Sequence, residues 1–267
     1  MIHDDPTKLE NIINSELVKV SNWLKSNKLF VNHSKSNFLI FTKKRLKHNF
    51  EILLDNFKLN QAHSTKYLGV IINDKLDWKD HIAKLRSKLS RNSYAIYKLK
   101  PYVNKATLKL TYYSLIYPHL QYCISSWGGA ANSNLDPIIK LQKRLIRNIC
   151  YQPARSHTNP LFYENEILKV KDVHKLQIAK LMHKYYKNNT NIPIQSTMLT
   201  DKHNYNTRLS FSNNYFIPRP RTNIALSSLQ YLGPKIWQSI PPELKNQSFY
   251  SFKQKYKKHL IQSYNEV

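Results

Sequence analysis

Glycine is scarce: the 267 residues hold only 4. A dinucleotide-binding turn or a phosphate loop places three or four glycines in one turn. Gly69, Gly128, Gly129 and Gly233 are scattered, so neither motif is present. Cysteine is scarcer still. Cys123 and Cys150 form no C-x-x-C pair, which excludes a disulfide framework and a thiolate zinc site and fits a reducing compartment. No apolar run approaches the length of a membrane span. The opening MIHDDPTKLE has no apolar core and carries acid, so it does not read as a secretion signal. The expectation is an intracellular chain, cytoplasmic or nuclear, not secreted and without a membrane partner.

Acidic residues are also few. Asp and Glu number 16 against 42 Lys and Arg, for a formal charge of +26. Such an excess opposes compaction by self-repulsion and points to a polyanionic partner. Aromatics reach 12%, including 18 Tyr, which argues against wholesale disorder. The charge is uneven: residues 81–200 carry 19 Lys and Arg against 4 Asp and Glu. A polyanion is expected there.

Periodicity organises the chain. Leu9, Ile12, Ile13, Leu17, Val20, Trp23 and Leu24 recur at helical steps and predict a helix over 6–27, with Asp5 as N-cap and Pro6 behind it. Phe38 to Phe41 predicts a short buried strand. Two more strands are expected at 50–54 and 57–59 around an Asp55-Asn56 turn, and the clearest single strand at 65–72, ending at Asn73-Asp74. Helices follow at 79–98, at 105–126 with a kink or split at Pro118, at 135–150 and at 171–187. Residues 188–224 show no period and read as irregular. An ordered patch at 229–241 and a basic helix at 248–262 close the chain. The fold class is α+β, mostly α, with a small antiparallel sheet, then a helical bundle, then an irregular basic region. The boundaries fall at 76/77 and 190/191.

No compact catalytic constellation stands out. Asp4-Asp5 is the only adjacent acid pair, and Pro6 makes Asp5 a cap rather than a metal ligand. Asp77 is expected to cap the next long helix, and Asp80 to pair with Lys84. His81, His119 and His157 are isolated and read as packed or surface residues. No metal site is expected. On the helices, Lys84, Arg86, Lys88 and Arg91, and Lys140, Lys143, Arg144 and Arg147, are candidates for phosphate contacts. Tyr94, Tyr97, Tyr102, Tyr112, Tyr113 and Tyr117 lie among them; some could stack on bases, and most are expected in the core.

Five segments, in order, carry a resemblance. They are ELVKVSNWLKSNKLFVNHSKSNFLIF at 16–41, KYLGVIINDKLDWKDHI at 66–82, LTYYSLIYPHLQYCISSWG at 110–128, LQKRLIRNI at 141–149, and HNYNTR with LGPKIWQSIPPELK at 203–208 and 232–245. Together they resemble the reverse transcriptase of jockey-like non-LTR retrotransposons, from the end of the palm onward.

The resemblance implies a palm remnant over 1–76, a helical thumb-like domain over 77–190 and the family's C-terminal region over 191–267. It implies that Lys35 corresponds to a lysine assisting proton transfer to the leaving pyrophosphate. It also implies that Tyr67, Leu68 and Gly69 form a primer-grip-like strand pair, and that Arg208 in the YNTR segment contacts nucleic acid. The family's catalytic aspartates lie in a [FY]-A-D-D hairpin upstream of the helix that begins here at Pro6, and bind magnesium. No such motif occurs in this sequence.

The expectation is therefore a fragment of an RNA-directed DNA polymerase, without magnesium or another cofactor of its own and inactive alone, that keeps the parts holding template and primer. The alternative is a stand-alone basic RNA- or DNA-binding protein derived from such an element. The partner in either case is RNA, RNA–DNA hybrid or DNA, held through phosphates. An active enzyme with different chemistry is a third reading, and the lack of a catalytic constellation argues against it. For the C-terminal third, the expectation is an arm in which Arg208, Arg219, Arg221 and Lys235 meet phosphates beside Tyr205 and Trp237, or else a solvated tail. Leu229, Leu232, Ile236 and Trp237 are expected to anchor it.

Overall fold

The computed structural model describes residues 1–42, 48–187, 196–202 and 214–265. It is α+β and mostly helical. Close contacts divide the chain into two units, Met1–His81 and Ile82–Val267.

The first unit is built on α1 (Pro6–Ser26). Asp5 Oδ1 accepts from the backbone N–H of Thr7 at 2.9 Å and of Lys8 at 3.4 Å, satisfying donors that the first helical turn leaves free. Leu9, Ile13 and Leu17 of α1 pack on a small core of Phe50, Ile52, Leu54 and Leu59, joined by Val31, Phe38 and Ile40. Asn14 fixes the register. Its side chain donates to Glu51 O and accepts from Leu53 N, both at 2.9 Å, and so holds the neighbouring strand on the helix. The apolar stripe of α1 is wider than this core, and Ile12, Val20 and Trp23 are exposed.

Among the described residues the strands form three separate two-stranded ladders rather than one sheet. β1 (Asn37–Phe38) pairs in parallel with β4 (Asn60–Gln61). β2 (Leu53–Leu54) and β3 (Phe57–Lys58) make a hairpin through Asp55 and Asn56, whose φ values are 51° and 66°. Positive φ at both central residues matches the turn to the strand twist.

The stretch expected as a single strand over 65–72 is a hairpin instead. β5 (Ser64–Tyr67) and β6 (Val70–Asn73) pair antiparallel, with Tyr67 opposite Val70. Leu68 and Gly69 turn the chain at φ values of 45° and 86°. The apolar run masks the turn in sequence; Gly69 is its one local signal, because a glycine inside a strand pattern often marks a turn or bulge.

The second unit takes in nearly all of α2 (Lys79–Leu99), followed by α3 (Lys105–Leu115), α4 (Tyr117–Gln121) and α5 (Ile124–Trp127). Pro118 does split the predicted long helix. It sits in the first turn of α4, where its missing N–H costs nothing. Next come α6 (Asn132–Ile149), α7 (Asn159–Glu164) and α8 (Val170–Tyr186). After these lie α9 (Leu199–Lys202), α10 (Asn223–Leu226), α11 (Leu229–Gln238), α12 (Pro242–Lys245) and α13 (Phe249–Gln262).

α8 is the centre of this unit. Its buried residues, among them Val170, Val173, His174, Leu176, Ile178 and Met182, lie on every side, as expected of a helix surrounded by others. α11 approaches it so closely that a Cβ at Gly233 would lie 2.6 Å from Met182 Sδ. Trp237 of α11 is fully buried, 5.2 Å from the Tyr186 ring and 6.3 Å from Phe252.

The described parts of 188–224 hold little regular structure, as the irregular reading expects, yet they are tied down. Leu199 N donates to Asn214 O at 3.0 Å, and Phe216 N to Thr197 O at 2.9 Å. Tyr215 is buried, with its ring 5.6 Å from Tyr185. These pairings join positions far apart in sequence, which a search for local period cannot register.

Candidate nucleic-acid interface

α6 turns its apolar stripe inward. Leu135, Ile138, Leu141, Gln142, Leu145, Ile146 and Ile149 are buried, while Lys140, Lys143 and Arg144 are exposed and Arg147 is half-buried. α2 likewise buries Ile82, Leu85, Leu89 and Ile96. Between the exposed flanks of these two helices runs a groove of about 470 Å³. Ser90, Ser93, Tyr94 and Tyr97 line it from α2; Arg144, Arg147 and Asn148 line it from α6; Gln152 and Ala154 follow. Among the described residues, no Asp or Glu lines it.

The groove is partly preorganised. Arg147 Nε donates to Ser156 O at 2.8 Å, which fixes the direction of its guanidinium. The Tyr151 hydroxyl donates to Lys100 O at 3.2 Å and also to Val103 O, tying the end of α6 to the chain after α2. Tyr94 is 61% exposed and Tyr97 is 55% exposed, with Lys98 Nζ 5.4 Å from the Tyr94 ring centre. Tyr102 is also exposed. The expectation that most of these tyrosines are core therefore fails for Tyr94, Tyr97 and Tyr102. On α2, positions 94 and 97 fall well to the side of Leu85, Leu89 and Ile96 at helical spacing. Tyr112 is buried, and its phenol pKa is pushed up by that burial.

The eight helical cations are not one patch. Arg144 and Arg147 meet the tyrosines. Arg86 sits one turn before Ser90, on the same side of α2. Lys84, Lys88 and Arg91 form a separate exposed stripe along α2. Burial, and then the charge of Lys88, lower the pKa of His119. Lys143 lines a different hollow with Lys169, Lys171 and Lys175.

The residues carried over from the resemblance lie in the first unit. Lys35 ends a 3₁₀ turn, His33–Lys35, and is exposed; Asn32 Oδ1 caps the turn by accepting from Lys35 N at 3.2 Å. Tyr67, Leu68 and Gly69 are the exposed tip of the β5–β6 hairpin. Arg208 and Tyr205 lie outside the described residues. Trp237 has no face left for a base, since it is core.

The acids have other tasks. Asp5 caps α1. Asp77 Oδ1 accepts from Lys79 N at 3.0 Å, and His63 Nδ1 lies 3.0 Å from Asp74 Oδ2. Asp80 Oδ2 accepts from Asn73 Nδ2 at 3.4 Å. Among the described residues, no three His, Cys, Asp or Glu side chains converge as metal ligands. The donor set in them does not fit a magnesium pair. His81 is packed, its Nδ1 accepting from Ile71 N at 3.4 Å. No described helix is long and apolar enough to cross a membrane.

Neither a family model nor a solved structure matches the chain. Two curated relatives do. One is a probable RNA-directed DNA polymerase from transposon X-element of Drosophila melanogaster, 29% identical over 134 residues. The other is the RNA-directed DNA polymerase from mobile element jockey of Drosophila funebris, 28% identical over 138 residues. The matches cover 49% and 51% of this chain but 15% of each relative. Across about half of its length, then, the chain is similar to a region of the RNA-directed DNA polymerases of jockey-like mobile elements.

Proposed function

We propose that this chain is a nucleic-acid-holding region of a retrotransposon RNA-directed DNA polymerase, gripping its ligand through phosphates and stacked bases rather than performing phosphoryl transfer. The observation that carries the reading is the groove where Tyr94 and Tyr97 meet Arg144 and Arg147. Arginine offers a planar fork of donors to phosphate oxygens, and an exposed tyrosine offers a face to an unpaired base. An acid-free lining leaves this positive field uncancelled. The α2 stripe of Lys84, Lys88 and Arg91 adds phosphate contacts outside the groove.

The test is filter binding of single-stranded RNA, RNA–DNA hybrid and duplex DNA across a salt series. Counterion release makes the log–log plot fall steeply, by roughly 0.7 per phosphate contacted on a single strand. Arg144→Ala with Arg147→Ala is expected to reduce that slope by about 1.4. A flat plot for the unmodified chain sinks the reading. Primer extension with magnesium is expected to give no product.

A further inference from the structure

A second cleft, of about 660 Å³, lies elsewhere in the second unit. One wall is the turn Gly128-Gly129-Ala130 leading into α6; the others come from α8, α11 and α13. α6 is 18 residues long, and its N-cap residue, Ala131, offers no capping side chain. The free N–H groups of such a helix end carry partial positive charge and attract anions. One lysine lies beside it. Lys171 Nζ donates to Asn132 Oδ1 at 2.9 Å, which places its ammonium group beside the first residue of α6. Lys175 and Lys235 also line the cleft, Lys175 with a bridge to Asp172 Oδ1 at 3.0 Å.

An independent feature points to a ligand in the same place. His174 lines the cleft and is 7% exposed, and among the described residues its buried Nε2 has no hydrogen-bond partner. A buried polar atom left unpartnered is costly. Its ring lies directly on the glycine turn: a Cβ at Gly128 would be 2.6 Å from His174 Cδ2, the carbon bonded to that nitrogen. Beyond the cations the lining turns apolar, with Leu135, Leu232, Ile236 and Leu260. At the rim the exposed His259 ring lies 6.0 Å from Tyr256, nearly parallel to it at 20°.

We propose that this cleft binds an organic phosphate of the nucleoside monophosphate class. The phosphate sits at the α6 N-terminus among Lys171, Lys175 and Lys235, and the base lies over the apolar lining beside His259. Several donors from different directions suit a phosphate dianion better than a carboxylate. The volume is in the range of small-molecule sites, which combine an apolar lining with a few convergent polar groups. The phosphate could belong to a free nucleotide or to the end of a nucleic-acid strand.

Calorimetric titration of the full chain tests this, run in the Arg144→Ala/Arg147→Ala background so that the other groove does not contribute. Adenosine monophosphate is expected to bind at least about tenfold more tightly than adenosine and than inorganic phosphate, and Lys171→Ala with Lys235→Ala to weaken it by about tenfold per lysine. Both lysines are exposed, so the variant should fold, which a circular-dichroism melt verifies. No heat with adenosine monophosphate, equal affinity for adenosine or inorganic phosphate, or an unchanged affinity in the lysine variant overturns the proposal. Competition by a 5′-phosphorylated oligonucleotide, but not by its 5′-hydroxyl form, assigns the phosphate to a strand end. Competition by neither assigns it to a free nucleotide.

Discussion

The Tyr264 hydroxyl donates to Asp172 Oδ2 at 2.6 Å, joining positions 92 apart. The phenol oxygen of Tyr264 in turn accepts from Lys169 N at 3.2 Å, and Lys169 Nζ lies 3.9 Å from the Tyr264 ring centre. This one phenol satisfies a carboxylate and a backbone donor at the start of α8. Tyr264→Phe keeps the ring and removes both bonds. The variant is expected to lose about 2 kcal/mol of stability, read from urea melts. A loss of only a few tenths would mean that Lys175, the carboxylate's other partner, suffices.

Gln142 performs a similar task inside the second unit. Its Nε2 donates to the Tyr112 hydroxyl and to Leu168 O, both at 2.9 Å, and its Oε1 accepts from Val170 N at 3.0 Å. Gln142→Leu fills the space but leaves all three partners buried and unpaired. The expected cost is about 3 kcal/mol or more. A double-mutant cycle with Tyr112→Phe should show coupling, because that change removes one of the abandoned groups.

The β5–β6 turn makes a prediction of opposite sign at neighbouring residues. Leu68 at φ 45° is strained, and Gly69 at φ 86° is not. Leu68→Asn is expected to stabilise by about 0.5 kcal/mol, since Asn tolerates the left-handed region and Asn-Gly suits this turn. Gly69→Ala is expected to destabilise by about 1 kcal/mol. Thermal melts of the two variants should shift in opposite directions.

His174 makes stability depend on pH. Burial, and then the charge of Lys175, lower its pKa from 6.5 to about 4. Lys171, Lys235 and His259 also face the cleft that it lines. Between those two values the unfolded chain binds more protons than the folded one. Its contribution is therefore complete above about pH 6.5 and is lost as pH falls toward 4, by about 3 kcal/mol in all. Urea melts at pH 7.5, 6.0 and 5.0 should show the decline. His174→Gln should flatten it, leaving the smaller effects of His119 and His183, whose pKa values burial also lowers.

The sequence by itself determined what is local. The stripe of Leu9, Ile13 and Leu17, the cap at Asp5 and the break at Pro118 each follow from residues within a turn or two of one another, so period and capping rules locate α1, α2, α6 and α8. The same holds for the Asp55-Asn56 turn, and charge counting places the cationic stretch. Only the tertiary structure decided the sites. Tyr94 and Arg144 are fifty positions apart, and helical spacing gives the face of each without saying which faces meet. α8 shows in sequence only as one more helix, and its central place emerges when α11 and α13 are laid against it. Lys171, Lys235 and His174 share no motif, and become one cleft because Gly128 lacks a Cβ and lets the turn lie on the imidazole. Backbone preference acts over a few residues, whereas the convergence of side chains depends on packing between segments that local rules leave independent.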